Sequence, residues 1–256
     1  GLDLPADLLA VACGSHSGEA MHLDAVRRTL DTVGLTEADL QNTPSRPHGA
    51  AACEEARRGG VEPSALQQNC SGKHAAMLAT CKINDWPIEH YLAAEHPLQQ
   101  TITAHIVQLI GAAITEIGVD GCGAPTHAFS LRGLADSFAT VALANGPVAR
   151  AMRANPELVG GTGRDVTAWM QAVPGLIAKE GAAGVMAAAL PDGRAVAYKI
   201  ADGSDAARQA VIPKAMNLLG VDRETIGQVV SDTRVPVMVH GHEVGQLRPL
   251  RWLASN

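Results

Sequence analysis

Leu23, Val26, Leu30 and Val33 recur three or four residues apart, a spacing that lays one apolar stripe along a helix. Thr36 and Asp39 then have the spacing of a capping box and predict a further helix start. The same period predicts a helix from Ala50 to Arg58, stopped by Gly59-Gly60, and another from Gly72 to Lys82. Pro97 to Ile110 follows, with Leu98, Ile102, Ile106 and Leu109 on one face. Leu131 to Ala144 reads as helix, and Pro147 to Ala154 and Arg164 to Gln171 read as shorter ones. The last third changes character. Gly184 to Leu190 and Arg194 to Ile200 flank Pro191-Asp192-Gly193 and predict a hairpin. Val235 to His240 and Glu243 to Leu247 flank Gly241-His242 and predict a second. Between the hairpins, Ala206 to Leu219 reads as a helix that Pro213 kinks or breaks.

Helices and antiparallel hairpins in separate blocks predict an α+β fold rather than alternating βαβ units. No internal repeat or low-complexity linker divides residues 1–256, so a single domain is expected.

Composition narrows the partners. Hydrophobic residues make up 46% of the 256 and charged residues 18%, enough to bury a substantial core. Aromatics are only 3%, so Ala, Leu, Val and Ile must fill that core. A net charge of −6 argues against nucleic acid or an anionic membrane as the main partner. No run approaches the roughly 20 apolar residues of a spanning helix, and no secretory signal pattern opens the sequence. Five cysteines without framework spacing favour a reducing, cytoplasmic setting.

The densest chemistry lies in Asn69-Cys70-Ser71-Gly72-Lys73-His74, followed about fifty residues on by Asp120-Gly121-Cys122-Gly123. A helix capped by Ser71 would set Lys73 and His74 one turn from Cys70, on the same side. Cys70, His74 and Cys122 then form a passable three-ligand zinc set with a fourth position open. A buried cysteine serves equally as a small hydrophobe, and Cys13, Cys53 and Cys81 are read that way. Gly14-Ser15-His16-Ser17-Gly18-Glu19 follows the apolar stretch Leu8 to Cys13. Its hydroxyls suit a nucleophile or proton relay, or else Ser15 or Ser17 caps the next helix. Lys179, just ahead of the first hairpin strand, can act as a base if desolvation lowers its pKa. Two phosphate-loop readings fail: Gln67 and His74 break the pattern around Gly72-Lys73, and Gly160-Gly161-Thr162-Gly163 has no preceding strand. The latter reads as a flexible loop beside a pocket.

These four motifs, with Pro125 after the second cysteine and Ala182 after Lys179, stand in the order and approximate spacing of one family. The chain resembles the asparaginase II family, the rhizobial-type or class 3 L-asparaginases, over essentially its whole length. The resemblance implies hydrolysis of L-asparagine to L-aspartate and ammonia, a serine β-lactamase/glutaminase-like α+β fold, and a homodimer. It implies zinc held by Cys70, Lys73 and Cys122, so that Lys73 replaces His74 as the nitrogen ligand. A ligating lysine must be uncharged, and a neighbouring divalent cation enforces this by displacing its proton. Ser15 and Lys179 take catalytic positions in the resemblance, while Ser17, His74 and Asp120 shape the substrate site. The family carries an Arg-Ser-x-x-Lys segment ahead of the Ser15 motif, and Gly1 starts beyond it. An N-terminally truncated form is therefore expected, retaining only Ser15 and Lys179 of the relay. Two alternatives stay open: a Ser-Lys hydrolase of another amide, such as glutamine or a lactam, and a non-catalytic zinc-binding homologue.

Overall fold

The apolar stretch near the start folds as α1 (Ala6–Ala12), and the Leu23 stripe folds as α2 (Ala20–Asp31), which buries Val26 and Leu30. The structure, a computed structural model, describes residues 3–249. α3 (Ala50–Arg58), α4 (Ser71–Ile83) and α5 (Pro97–Ile110) follow as their periods predict. The antiparallel hairpin β1 (Glu116–Val119) and β2 (Pro125–Ala128) comes next. Then come α6 (Leu131–Ala144), α7 (Pro147–Ala154), a single turn α8 (Pro156–Val159) and α9 (Asp165–Ala172). β3 (Ile177–Gly181), β4 (Val185–Ala189) and β5 (Ala195–Lys199) form an antiparallel sheet in that order. α10 (Asp205–Leu218), α11 (Arg223–Thr233) and the hairpin β6 (Pro236–Val239) and β7 (His242–Gln246) complete the described chain. The fold is thus mixed helix and strand, with small antiparallel sheets. No helix among the described residues is long and apolar enough to cross a membrane.

Several local expectations need correction. Thr36 and Asp39 do bond reciprocally, but they close one 3-10 turn over Glu37–Asp39 rather than open another helix. Neither Ser15 nor Ser17 caps α2: the cap is Glu19, whose N–H donates to His22 Nδ1 at 3.1 Å. Ser71 does not cap α4 either, because the cap position is Cys70 and the Ser71 hydroxyl is engaged by His16. Ile110, not Leu109, ends the buried stripe of α5, and Leu109 stays exposed. Pro213 does not break α10, which runs through it. Lys179 lies inside β3, where it pairs with Ala187 of β4, so the first hairpin is part of a three-stranded sheet. β3 escapes the strand pattern because its centre reads Lys-Glu, and alanine carries little strand preference.

Two cores result. The larger gathers Met152, Trp169, Leu176, Ile177, Met186 and Ile212 between the sheet and α7, α9 and α10. The smaller joins Val26 and Leu30 of α2 to Leu78 of α4, with Tyr91 and Leu98. α1 stands between them, giving Ala10 to the larger core while Leu8 and Val11 pack against Ala25 of α2. The start of α4 presses so closely on α1 that a Cβ at Gly72 would sit 2.5 Å from the Val11 carbonyl oxygen. Only glycine fits there. That contact places the Cys70 end of α4 beside the Ser15 end of α1.

Candidate active site

The C-terminal end of α1 and the middle of β3 build one wall. After Ala12 the chain turns through Cys13 and Gly14, and the His16 N–H then donates to the Asn69 carbonyl at 3.0 Å. Ser15 is thereby held opposite Lys179, whose Nζ donates to Ser15 Oγ at 2.6 Å and also to the Glu180 carbonyl. Burial brings the Lys179 ammonium down to about 8; Cys70 opposes this shift, while Lys73, Arg164 and Arg208 push the same way. Burial also raises the neighbouring Cys13 thiol to about 11, which leaves it an inert hydrophobe. Next to Lys179 on β3, Glu180 pairs with Arg164 and, at 2.9 Å, with Arg208. Arg208 also reaches Asp165 at 2.8 Å and Asp205 at 2.7 Å, and its side chain is 1% exposed. A buried cation with three carboxylate partners is fixed in place, and so is the strand that carries Lys179.

The first turn of α4 and the turn between β1 and β2 build the opposite wall. Asp120 accepts the Gly123 N–H at 2.9 Å on its carbonyl, and its Oδ1 accepts the Gly121 N–H at 2.8 Å, so the turn closes tightly. Gly123 has φ +89°, a value that glycine adopts without strain. Across from it, Lys73 Nζ lies 3.4 Å from Cys122 Sγ and 4.0 Å from Asp120 Oδ2. Cys122 Sγ is 3.6 Å from the same carboxylate oxygen. The two thiols behave as a pair. A hydrogen bond from Cys70 holds the Cys122 thiol far below its usual range, helped by His74 and Lys73, and the same bond raises Cys70. Cys70, Asp120 and Cys122 bring their ligand atoms within 4.8 Å of one another. That donor set, with an amine beside it, has the composition of a site for a thiophilic divalent metal.

A cavity of about 990 Å³ separates the walls, and Ser15, Lys179, Cys70, Lys73, Asp120 and Cys122 all line it. Ser17 and His74 stand behind its surface. Ser17 is 1% exposed and donates to the Gly160 carbonyl at 3.2 Å, while His74 is fully buried with Nδ1 2.8 Å from the Tyr91 hydroxyl. The loop 160–163 packs on Ser17 and Glu19, with Thr162 bonded to the Glu19 carboxylate through both N and Oγ1. Cys53 lies in α3, away from the lining, and Cys81 is buried in the smaller core.

Sequence reasoning missed His48, Arg164 and the pair His16 and His22. His48 and Arg164 line the cavity, and burial lowers the pKa of both. His16 and His22 stack with ring centroids 4.9 Å apart. The Gly18 N–H donates to His16 Nδ1 at 3.2 Å, so Nε2 carries the proton and donates to Ser71 Oγ at 3.0 Å. Burial lowers His16 to about 3, which keeps it neutral. This tie joins the Ser15 loop to the start of α4. Its one sequence signal was His16 within the same short motif as Ser15.

A model of the L-asparaginase II family matches residues 1–249. A search of curated proteins returns no match.

Proposed function

The chain belongs to the L-asparaginase II family, whose members are amidohydrolases, and from that premise we propose that it hydrolyses L-asparagine to L-aspartate and ammonia. One observation carries the reading: a desolvated lysine with a pKa of about 8 in a 2.6 Å contact with a serine hydroxyl on a cavity wall. Near neutral pH a useful fraction of Lys179 is uncharged and able to accept a proton, as a general base requires. In the proposed reaction Lys179 takes the proton that passes through Ser15 while the serine of the family's Ser-x-x-Lys segment, which lies ahead of the Ser15 motif, attacks the side-chain amide carbon. The proton goes to the departing nitrogen, ammonia leaves, and water hydrolyses the resulting ester to free aspartate. The β-lactamase/glutaminase-like architecture, a single domain and a homodimer belong to the same reading.

The opposite wall fits zinc. Cys70, Lys73 and Cys122 would hold it, with Asp120 close enough to contact substrate or orient bound water. Two sulfurs and an amine at these distances match zinc better than the oxygen-rich sets of calcium or magnesium. Bound there, zinc would supply positive charge for the substrate's polar end. Ser17 and His74 would shape the pocket from behind the wall.

An ammonia-release assay with L-asparagine, L-glutamine and a lactam, on the protein carrying the Ser-x-x-Lys segment, tests the assignment. The expected result is turnover of L-asparagine that Ser15→Ala abolishes with the protein folded. Equal or better turnover of the other amides would replace the substrate assignment, and no turnover at all would remove the enzymatic one.

A further inference from the structure

The loop that carries Ser15 is gripped at both ends by one short stretch of chain, residues 159–162. At its start, Gly14 passes so close to the Val159 carbonyl oxygen that a Cβ on it would sit 2.6 Å away. At its end, the Glu19 carboxylate accepts the Thr162 N–H at 2.8 Å and the Thr162 hydroxyl at 2.6 Å. Between them the Ser17 hydroxyl donates to the Gly160 carbonyl, and Gly161, at φ +133°, leaves no room for a Cβ beside Ser17. Hydrogen bonds to an ionised acceptor are shorter and stronger than neutral ones, and both donors of Thr162 are spent on this one.

Two residues on, Arg164 pairs with Glu180 of β3, the neighbour of Lys179. The Arg164 N–H donates to the Gly161 carbonyl at 3.3 Å and the Gly161 N–H donates to Thr167 Oγ1 at 3.2 Å, so the loop and the start of α9 hold together as one piece. The path from Glu19 through Thr162 and Arg164 to Glu180 therefore joins the Ser15 loop to the strand that carries Lys179. His16 ties the same loop the other way, to Asn69 and Ser71 on the opposite wall. Those ties cannot set the distance across to β3. The Glu19–Thr162 bonds are exposed and lie outside both cores, and changes at such places usually leave global stability almost unaltered. We propose that Thr162 and Glu19 are positioning residues for the Ser15–Lys179 pair: their bonds clasp the Ser15 loop to the β3 wall and hold the serine oxygen within reach of the lysine nitrogen. Neither residue lines the cavity. The inference rests on the hydrolase reading and adds to it a device that sets the geometry of the pair.

Steady-state ammonia release from L-asparagine tests this, on the protein carrying the Ser-x-x-Lys segment, with Thr162→Val, Thr162→Ser and Glu19→Ala beside the wild type. Glu19→Ala removes both bonds and should lower kcat by about 10²-fold, the cost of a displacement of about 1 Å at a reacting group. Thr162→Val keeps the N–H bond and should lose roughly tenfold. KM should stay within about twofold of wild type in both, because ground-state binding is untouched. Thr162→Ser restores the hydroxyl and should return kcat to near the wild-type value, a rescue that a packing role for the threonine methyl would not give. The double variant of Glu19→Ala and Thr162→Val should lose no more than Glu19→Ala alone, since the two act as one unit. Wild-type kcat in Thr162→Val and Glu19→Ala would overturn the proposal, as would a Thr162→Ser no better than Thr162→Val, or a loss carried by KM alone. If Glu19→Ala does not fold, the two Thr162 variants decide it. A wild-type protein with no turnover would overturn the hydrolase reading and this inference with it.

Discussion

The two walls of the cavity reach opposite charge states by opposite means. On the β3 wall, burial dominates and drives a lysine toward its neutral form. On the α4 wall, Cys70, with Lys73 beside it, outweighs burial and drives Cys122 toward its charged form. Desolvation acts against charge at both places; the difference lies in how many donors each group is given. Lys179, a donor itself, is offered acceptors but no adjacent carboxylate, since Glu180 is turned away toward Arg164 and Arg208. Cys122 is offered a thiol, an imidazole, an ammonium group and a backbone N–H. One wall can therefore accept a proton, and the other can hold a cation.

The severest way to break this contrast is to remove the base. Lys179→Met should lower kcat/KM for L-asparagine by about 10²–10⁴-fold, the range for a lost general base, while zinc binding is retained. Next comes the buried ion cluster that frees Lys179 from Glu180. Arg208→Met leaves Glu180 and Asp165 buried without their shared cation. It should cost roughly 3–5 kcal/mol in denaturant unfolding, an effect absent from a matched change at exposed Arg58. On the other wall, Cys122→Ser should abolish measurable zinc binding, read by metal content after dialysis, with fold and Lys179 undisturbed.

How much of this was legible in the sequence follows from the same contrast. The α4 wall was legible because its groups crowd into two short motifs, Cys70 to His74 and Asp120 to Cys122. The β3 wall was legible only as separate residues. Ser15 and Lys179 are 164 positions apart, and no periodicity reveals that they touch. Lys179 was misplaced ahead of a strand because Lys-Glu breaks the apolar pattern; the two arginines that make Glu180 tolerable inside come from α10 and the start of α9. β1 and β2 were missed because both stay largely exposed and lack an apolar alternation. α11 was missed as well, although Asp222 caps it by accepting the Thr225 N–H at 2.8 Å. The helices with a clear apolar stripe, such as α2, needed only their own period.

A smaller effect sharpens the comparison at the seam between the walls. His16 is buried neutral and ties the Ser15 loop to Ser71. Its folded pKa of about 3 lies below the ordinary histidine value of 6.5, so the unfolded chain binds the proton more readily. Its effect on stability is therefore nil above about 6.5 and increasingly unfavourable as pH falls toward 3. Unfolding midpoints recorded from pH 7.5 to 4.5 should decline, and His16→Gln should flatten that decline if the variant folds.

In the proposed reaction Lys179, neutral and in contact with Ser15, supplies the base for amide hydrolysis. The pH dependence of kcat/KM for ammonia release from L-asparagine tests it most directly. The expected result is a rise with pH through a midpoint near 8, the pKa of Lys179, and loss of that rise in Lys179→Met. A flat profile across that range, or an unchanged rise in the variant, would contradict it.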